Sequence, residues 1–239
     1  LMQMQAPGYL DGHHGEWLME PDLLEAAARR FWEQGYQIHV HSNGDLGTKI
    51  VLDIAEKLQE EMPREDHRFT LHHLGFSREE QSRRMAELGV LVSANPYYLY
   101  TLGDKYSEMG LGPERASNIF RGASLLKNGV PLSLHSDFTM APSKPLLLAS
   151  VAVNRRTAAG NLKSPDQRLT VDQAMRAITI EAAYAIRMED QVGSIKVGKR
   201  ADFTVLNQDP YVVKAENLQD IAIWGTVFEG KKFPLESSN

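Results

Sequence analysis

The chain has 239 residues, of which 42% are hydrophobic and 24% are charged, a composition typical of globular proteins with one large or two small domains. Its formal net charge of −5 argues against a general nucleic-acid-binding protein, which needs a basic surface for phosphates. The absence of cysteine excludes disulfides and thiolate metal sites, so His, Asp or Glu would have to hold any metal. No apolar run is long enough for a bilayer, so we expect no membrane span. The cysteine-free composition suits a cytoplasmic location, which we expect, and also suits a secreted protein.

Strand-like and helical segments alternate along the first part of the chain. Four strands are predicted, at 37–41, 69–73, 90–94 and 130–134. Helices are predicted at 21–35, 46–61 and 114–128. Ser77 and Glu80 have the spacing of a capping box, which predicts the start of a further helix. Alternation of this kind is typical of parallel strands joined by helical crossovers, and so of an α/β fold.

The pattern changes after Asp137. Helical segments follow, and Thr170 with Gln173 forms a predicted capping box at the start of one of them. Two β segments come last, at 193–206 and 221–232, with a hairpin turn at Glu229-Gly230. We therefore expect an α/β body over residues 1–190 and a small β module over residues 191–239.

Three polar residues lie at or just after the ends of predicted strands: His41, His73 and Asp137. In a parallel barrel the catalytic groups come from the carboxyl ends of the strands, so these side chains could converge. Neutral imidazole and carboxylate groups suit zinc and similar divalent ions, which activate water and polarise carbonyl groups. The alternative for each single histidine is a hydrogen-bonded structural role, which is the more common one.

Periodicity alone does not choose among the neighbouring histidines. His39 shares a strand face with His41, and His135 shares one with Asp137. Because His72 is adjacent to a second histidine, we expect only one of that pair to point into the barrel.

Two further segments after strands leave two interpretations open. Asp45 either caps the following helix or belongs to the site. Asn95-Pro96-Tyr97-Tyr98 follows the third strand, where a barrel has the walls of its substrate pocket, and the alternative is a turn with packed aromatic rings. The sequence contains no phosphate-binding Gly-rich loop and no nucleophile elbow.

Five segments occur in the order of one known family. They are a strand with His followed by Gly-Asp (37–45), a strand with a His pair (69–75), a strand before Asn-Pro (90–96), Ser-Asp (136–137), and Gly-Ser-Ile with Gly-Lys-Arg-Ala-Asp (193–202). Together they resemble the YtcJ-like branch of the amidohydrolase superfamily, the amidohydrolase 3 family, over nearly the whole chain. Two positions depart from that pattern, because His72 stands where Glu is usual and Asn95 where Gln is usual.

The resemblance implies a TIM (β/α)8 barrel, of which the chain would hold strands five to eight, followed by part of a β-sandwich module. It implies a divalent metal, zinc, as one or two ions in the full-length protein, bound by His41, His73 and Asp137. Asp137 would also take a proton from the attacking water and pass it to the leaving amine. The implied reaction is metal-dependent hydrolysis of carbon–nitrogen bonds in small amides, formamides or cyclic amides. Substrate contacts are expected from Asn95, Tyr97 and Arg155.

The resemblance also implies elements that the chain does not contain, namely a first-strand His-x-His motif and a bridging ligand such as a carboxylated lysine. Leu1-Met2-Gln3-Met4 is neither a natural start nor a signal peptide, so we expect preceding residues to be missing. A half barrel leaves an open sheet edge, so the chain should pair with the missing N-terminal half, form a homo-oligomer, or be a truncated product. The competing hypothesis is a catalytically incomplete fragment or a regulatory or structural subunit, since a zinc site needs three protein ligands.

Overall fold

The computed structural model describes residues 2–235, so Leu1 and residues 236–239, at the outer ends of the two expected domains, lie outside the described residues. Four strands form one parallel sheet in the order β1-β2-β3-β4. They are β1 His39–Ser42, β2 Thr70–His73, β3 Leu91–Ala94 and β4 Leu132–Leu134. The prediction of four parallel neighbouring strands is confirmed, and each strand begins one or two residues later than predicted. At β4 the reason is Pro131, which has no N–H to donate to a strand neighbour.

Helices connect and flank these strands. They are α1 Pro21–Glu33, α2 Asp45–Glu61, α3 Glu79–Glu87, α4 Tyr97–Lys105, α5 Pro113–Ser117, α6 Gly122–Lys127, α7 Pro145–Asn154, α8 Val171–Ala177 and α9 Ile180–Ala185. A π-helical turn at Tyr106–Gly110 continues α4, and 3-10 turns occupy Pro165–Gln167 and Ala215–Asp220. No helix within residues 2–235 combines the length and the apolar character that crossing a membrane requires.

Two helix predictions need correction. The single helix expected at 114–128 is divided into α5 and α6, because Phe120 adopts a left-handed φ of 57° between them. The predicted capping box at Ser77 and Glu80 is shifted by one residue, since the backbone N–H of Arg78 donates to Gln81 Oε1 at 2.9 Å. The hydroxyl of Ser77 is instead buried without a hydrogen-bond partner among the described residues.

The capping box at the start of α8 is confirmed. The backbone N–H of Gln173 donates to Thr170 Oγ1 at 3.1 Å, and the N–H of Thr170 donates to Gln173 Oε1 at 2.9 Å. Each residue therefore satisfies a backbone donor that the first helical turn leaves free.

The two faces of the parallel sheet have opposite chemistry. One row of paired residues across the four strands is apolar and buried: Val40, Leu71, Val92 and Leu132. The neighbouring row is polar: His41, His72, Ser93 and Ser133. Because successive strand residues point to opposite faces, the first row faces the helices and the second faces away from that core. The sheet thus carries a band of imidazole and hydroxyl groups on one face, close to its carboxyl-terminal edge.

Residues 2–16 cross the carboxyl-terminal end of β1. The backbone N–H of Gln3 donates to the carbonyl of Asn43 at 3.1 Å, and the N–H of Leu46 donates to the carbonyl of Gln3 at 3.0 Å. Gly44 has a φ of 82°, and a Cβ atom there would lie 2.1 Å from the Gln3 carbonyl oxygen. Only glycine therefore allows this segment to approach the strand end so closely.

The last part of the chain forms a three-stranded antiparallel sheet of β5 Phe203–Leu206, β6 Ile223–Phe228 and β7 Lys231–Pro234. Glu229 and Gly230 have φ values of 48° and 80°, as a two-residue hairpin turn requires, so the predicted hairpin is confirmed. The predicted β segment at 193–206 is a strand only over its last four residues, and turns occupy most of the remainder.

Candidate functional site

Five histidines form one group on the parallel sheet, four near its carboxyl-terminal edge and His39 at the start of β1: His39, His41, His72, His73 and His135. His39 Nδ1 lies 2.7 Å from His72 Nε2, and His73 Nδ1 lies 3.1 Å from His135 Nε2. The rings of His41 and His73 pack together with their centroids 4.4 Å apart. We call these five residues the histidine cluster. Parallel pairing in register produces it, because all four strands end at the same edge.

The end of β2 explains how two adjacent histidines join one cluster. His73 has a left-handed φ of 73°, and Leu74 follows with 47°. The alternation of side chains between the two faces therefore ends at His72. The ring centroids of His72 and His73 are 6.1 Å apart, and the His72 centroid is 5.3 Å from that of His135. The expectation that only one of the adjacent pair could point toward the site was wrong, because it assumed regular strand geometry through His73.

Crowding keeps the histidine cluster uncharged. Desolvation, together with the neighbouring imidazoles, lowers the pKa of His72 and of His73 to about 4. Desolvation also lowers the pKa of His135 to about 3, and it lowers the pKa values of His39 and His41. These rings are therefore neutral at pH 7, the state in which imidazole binds a metal ion.

Asp137 supplies the negative charge beside the cluster. It follows β4 by three residues and has a left-handed φ of 58°. Its carboxylate raises the pKa values of His41, His72 and His73, although desolvation outweighs that effect. The structure therefore brings His41, His73 and Asp137 of the sequence prediction into one neighbourhood. His73 and Asp137 both have backbone conformations that non-glycine residues rarely adopt, and such conformations concentrate at functional sites.

Asn43 ties the strand ends around the cluster together, and the sequence analysis gave it no role. Its Nδ2 donates to the hydroxyl of Tyr98 at 2.8 Å, and its Oδ1 accepts from the backbone N–H of Gly75 at 2.8 Å. The Tyr98 ring stands edge-on to His73 with centroids 6.1 Å apart. The available signal was position, because Asn43 directly follows β1 and Tyr98 lies in the first turn of the helix after β3.

Asn95 and Tyr97 brace the loops above the sheet. Asn95 Oδ1 accepts from the backbone N–H of Tyr97 at 3.0 Å, and the Asn95 N–H donates to the carbonyl of His73 at 3.0 Å. The Tyr97 hydroxyl donates to the carbonyl of Pro142 at 3.2 Å. Both side chains are buried, and it is Tyr98 rather than Tyr97 whose ring stands beside the histidine cluster.

Arg155 lies away from the cluster and is completely buried. Its guanidinium donates to four backbone carbonyls, those of Lys163, Phe120, Ser117 and Ile119. Burial lowers its pKa to about 9. A guanidinium enclosed by carbonyl groups in this way holds the break between α5 and α6. The expected contact of Arg155 with an anionic substrate group has no support in this geometry.

Asp45 also has a structural role rather than either of the two predicted ones. The helix cap is Gly44, and the buried Asp45 carboxylate forms an ion pair with Arg78. Its Oδ1 accepts from the backbone N–H of Gln5 at 2.8 Å. The residue therefore joins the N-terminal segment to the loop before α3.

The donor set of the histidine cluster fits a divalent metal in kind but not in number. Within residues 2–235, no three His, Asp or Glu side chains are grouped as a metal ion requires. His41 and His73 nevertheless supply two neutral imidazoles with a carboxylate nearby, which is the chemistry that zinc prefers. Ligands beyond these would be needed to complete a site.

Comparison with known proteins gives consistent results. The model of the amidohydrolase family matches residues 2–232. The chain is 31% identical over 218 residues to N-substituted formamide deformylase of Arthrobacter pascens, covering 91% of this chain and 40% of that protein. It is 28% identical over 221 residues to the putative amidohydrolase YtcJ of Bacillus subtilis (strain 168), covering 91% and 41%. The chain thus spans about two fifths of the length of these curated relatives.

Solved structures show the same relationship. An uncharacterized metal-dependent hydrolase from Pyrococcus horikoshii OT3 superposes with a TM-score of 0.76 at 25% identity, covering 90% of this chain and 43% of that chain. An amidohydrolase from Thermotoga maritima MSB8 superposes with a TM-score of 0.61 at 20% identity, covering 92% and 49%. The second likeness is one of fold alone.

Proposed function

Since the chain belongs to the amidohydrolase family, we propose that it is part of a metal-dependent hydrolase that cleaves carbon–nitrogen bonds. One observation carries this proposal: two neutral imidazoles, His41 and His73, pack against each other at the strand ends beside Asp137. Formamides and other amides are the substrate class we favour, because a similar protein is named for the deformylation of N-substituted formamides.

The proposal includes a larger architecture. The four parallel strands would be strands five to eight of a (β/α)8 barrel over residues 1–190, and residues 191–239 would belong to a β-sandwich module. The outer edges of β1 and β4, the two free edges of the sheet, would then pair with strands of the N-terminal half of the barrel. A second copy of the chain is the other occupant that we consider for these edges. The cytoplasmic location stays a prediction.

The chemistry divides among this chain's residues as follows. His41 and His73 would hold a divalent metal, for which we favour zinc, through neutral ring nitrogens. Such a metal lowers the pKa of a bound water and polarises the substrate carbonyl. Asp137 would accept a proton from the attacking water and deliver it to the leaving nitrogen as the C–N bond breaks. The hydrogen bond from Asn43 to Tyr98 would fix the wall beside His73.

The substitution Asp137→Asn tests this assignment. Asparagine tolerates the left-handed φ of 58° and keeps the size of the side chain, so the fold should be retained. Asparagine cannot accept the proton, so we expect kcat for N-formyl and N-acyl compounds to fall by about 10²- to 10⁴-fold, measured with added zinc. Asp190→Asn is the matched control, because Asp190 is exposed and follows α9, which packs at the opposite edge of the sheet. Unchanged turnover in Asp137→Asn would rule the role out.

The competing proposal is a catalytically incomplete fragment or a regulatory or structural subunit, and the incomplete ligand group within residues 2–235 favours it. Metal analysis of the purified 239-residue chain separates the two readings. Stoichiometric zinc that survives dialysis would contradict the incomplete-fragment proposal. Zinc uptake only after a longer chain or a partner is added would support it.

A further inference from the structure

Three side chains on neighbouring strands form a row that ends at His73. Ser93 Oγ in β3 lies 2.9 Å from His135 Nδ1, and His135 Nε2 lies 3.1 Å from His73 Nδ1. Backbone bonds hold the row in place. The N–H of His135 donates to the carbonyl of Ala94 at 2.9 Å, and the carbonyl of His73 accepts from Asn95 at 3.0 Å. Both ring nitrogens of His135 are thus engaged, one on each side.

The hydrogen bonds along this row can run in two donor-to-acceptor directions. Only one direction leaves a ring nitrogen of His73 free to bind a metal. A neutral imidazole carries a single N–H, so each ring donates through one nitrogen and accepts through the other. If Ser93 donates to His135, then His135 donates to His73 Nδ1, and the proton of His73 stays on Nε2. If His73 Nδ1–H donates instead, His135 passes its own Nδ1–H to Ser93, and the lone pair of His73 Nε2 is free.

We propose that His135 is a positioning residue that holds the proton of His73 on Nδ1 and so prepares His73 Nε2 to bind a metal. The inference rests on the proposed function for the role of His73, but the tautomer it assigns is a property of the metal-free chain. Ring nitrogens that do not touch a metal commonly donate to such partners, and the loss of the partner typically lowers metal affinity by about 10- to 100-fold. Here the partner is an unusual one, a second imidazole rather than a carboxylate or carbonyl.

Ser133 is a matched control for Ser93. It distinguishes the effect of this hydrogen-bonded row from the effect of any polar side chain on the same face of the sheet. Ser133 pairs in register with Ser93 and presents its side chain on the same face of the sheet. Its hydroxyl lies 3.5 Å from the carbonyl of Val92 and has no bond to a histidine among the described residues. Ser93→Ala should therefore disturb the tautomer of His135, whereas Ser133→Ala should not.

The first test uses the 239-residue chain without metal. Nitrogen-15 NMR of the labelled histidines distinguishes Nδ1–H from Nε2–H for each ring. We expect Nδ1–H for both His73 and His135. In His135→Leu the preference of His73 should be lost, and in His135→Gln, whose amide oxygen can still accept, it should be retained. An Nε2–H proton on His73 in the parent chain, or an unchanged His73 spectrum in His135→Leu, would overturn the inference.

The second test measures zinc affinity of the same variants by competition with a chelator. His135→Leu should bind zinc about 10- to 100-fold more weakly than the parent, and His135→Gln should stay within a few-fold of it. In a His73→Ala background, His135→Leu should have no further effect, because the positioned ring is absent. Equal affinity of His135→Leu and the parent contradicts the inference. If the parent itself takes up no zinc, the metal site of the proposed function fails in this chain, while the tautomer spectra still decide the role of His135.

Discussion

The two edges of the parallel sheet use polar side chains in opposite ways. At the amino-terminal edge, Arg68 precedes β2 and places its guanidinium 2.6 Å from Glu189 and 2.9 Å from Asp66. It also donates to the carbonyl of Tyr184 at 2.6 Å and stacks 3.9 Å from the centre of that ring. Gln37, before β1, donates to the carbonyl of Ala185 at 2.7 Å. Polar groups there hold α9 and the segment after it against the sheet.

The carboxyl-terminal edge instead gathers neutral rings. Among the described residues Asp137 is the carboxylate beside the histidine cluster, and two of the cluster's hydrogen bonds run from imidazole to imidazole. Permanent charges in pairs fix one arrangement, whereas neutral rings keep lone pairs that a ligand can use. The contrast matches the division found in barrel enzymes, where one end of the sheet provides stability and the other provides chemistry.

Replacing Arg68 should destabilise the packing at the amino-terminal edge of the sheet. Arg68→Met removes a buried guanidinium that Glu189 and Asp66 share as a partner. We expect a loss of about 2–3 kcal/mol in the free energy of unfolding, measured with urea, because hydrogen bonds to charged groups are lost while the carboxylates that remain are partly exposed. Arg187→Met is the control, because Arg187 also pairs with Asp66 but its side chain is 42% exposed, so its loss should be below about 1 kcal/mol. Equal losses in the two variants would contradict the special role of Arg68.

Acid should weaken the carboxyl-terminal edge first. The pKa values of His72 and His73 lie near 4 in the folded chain, below the ordinary value of about 6.5 that they regain on unfolding. The stability that these two neutral rings contribute is therefore fully present above about pH 6.5. It is lost as the pH falls toward 4, because the unfolded chain binds protons first. By contrast, Arg68 holds the pKa of Glu189 below its usual range, so the opposite edge responds only at lower pH.

Urea unfolding of the metal-free chain at pH 7 and pH 5, in the presence of a chelator, measures this effect. We expect a loss of at least about 2 kcal/mol at pH 5, and a smaller loss in His72→Gln, which removes one of the titrating rings. A free energy of unfolding that does not change between these pH values would show that the cluster is not desolvated.

The smallest expected effect distinguishes Tyr98, which lies beside the histidine cluster, from its neighbour Tyr97. Tyr98→Phe removes the acceptor of Asn43 beside His73, and Tyr97→Phe removes the donor to Pro142 in the loop above. Each should cost about 1 kcal/mol of stability by thermal unfolding. Only Tyr98→Phe should also weaken zinc binding, because only Tyr98 stands beside the histidine cluster. The same change in zinc affinity in both variants would remove Asn43 and Tyr98 from the site.

The sequence was informative wherever local pattern decides the structure. The strand positions followed from short apolar runs bounded by turn residues, and the capping box at Thr170 and the hairpin at Glu229 followed from local chemistry. His41, His73 and Asp137 were predicted as site residues because they lie at or just after strand ends and match a family motif, and their roles stay predictions. Such signals need no knowledge of distant residues.

The predictions from the sequence failed where contacts between residues that are distant in sequence determine the local structure. The helix expected at 114–128 is interrupted because Arg155, remote in sequence, takes the carbonyls of Ser117, Ile119 and Phe120 that a continuous helix would have used. The contact of His135 with His73 depends equally on a left-handed residue at the end of β2, which no periodicity in the sequence announces.

The left-handed backbone at His73 and Asp137 has a consequence for sequence variation in related proteins. Valine, isoleucine and threonine are poorly tolerated at such φ values, while His, Asn and Asp are enriched there. Selection on folding alone would therefore narrow the residues found at both positions to a set that includes potential metal ligands and proton acceptors. An alignment column that looks restricted at 73 or 137 would then combine two constraints, one from the backbone and one from chemistry. Substitutions that introduce a new site residue at position 73 or 137 would also add little backbone strain, since the backbone already accommodates such residues.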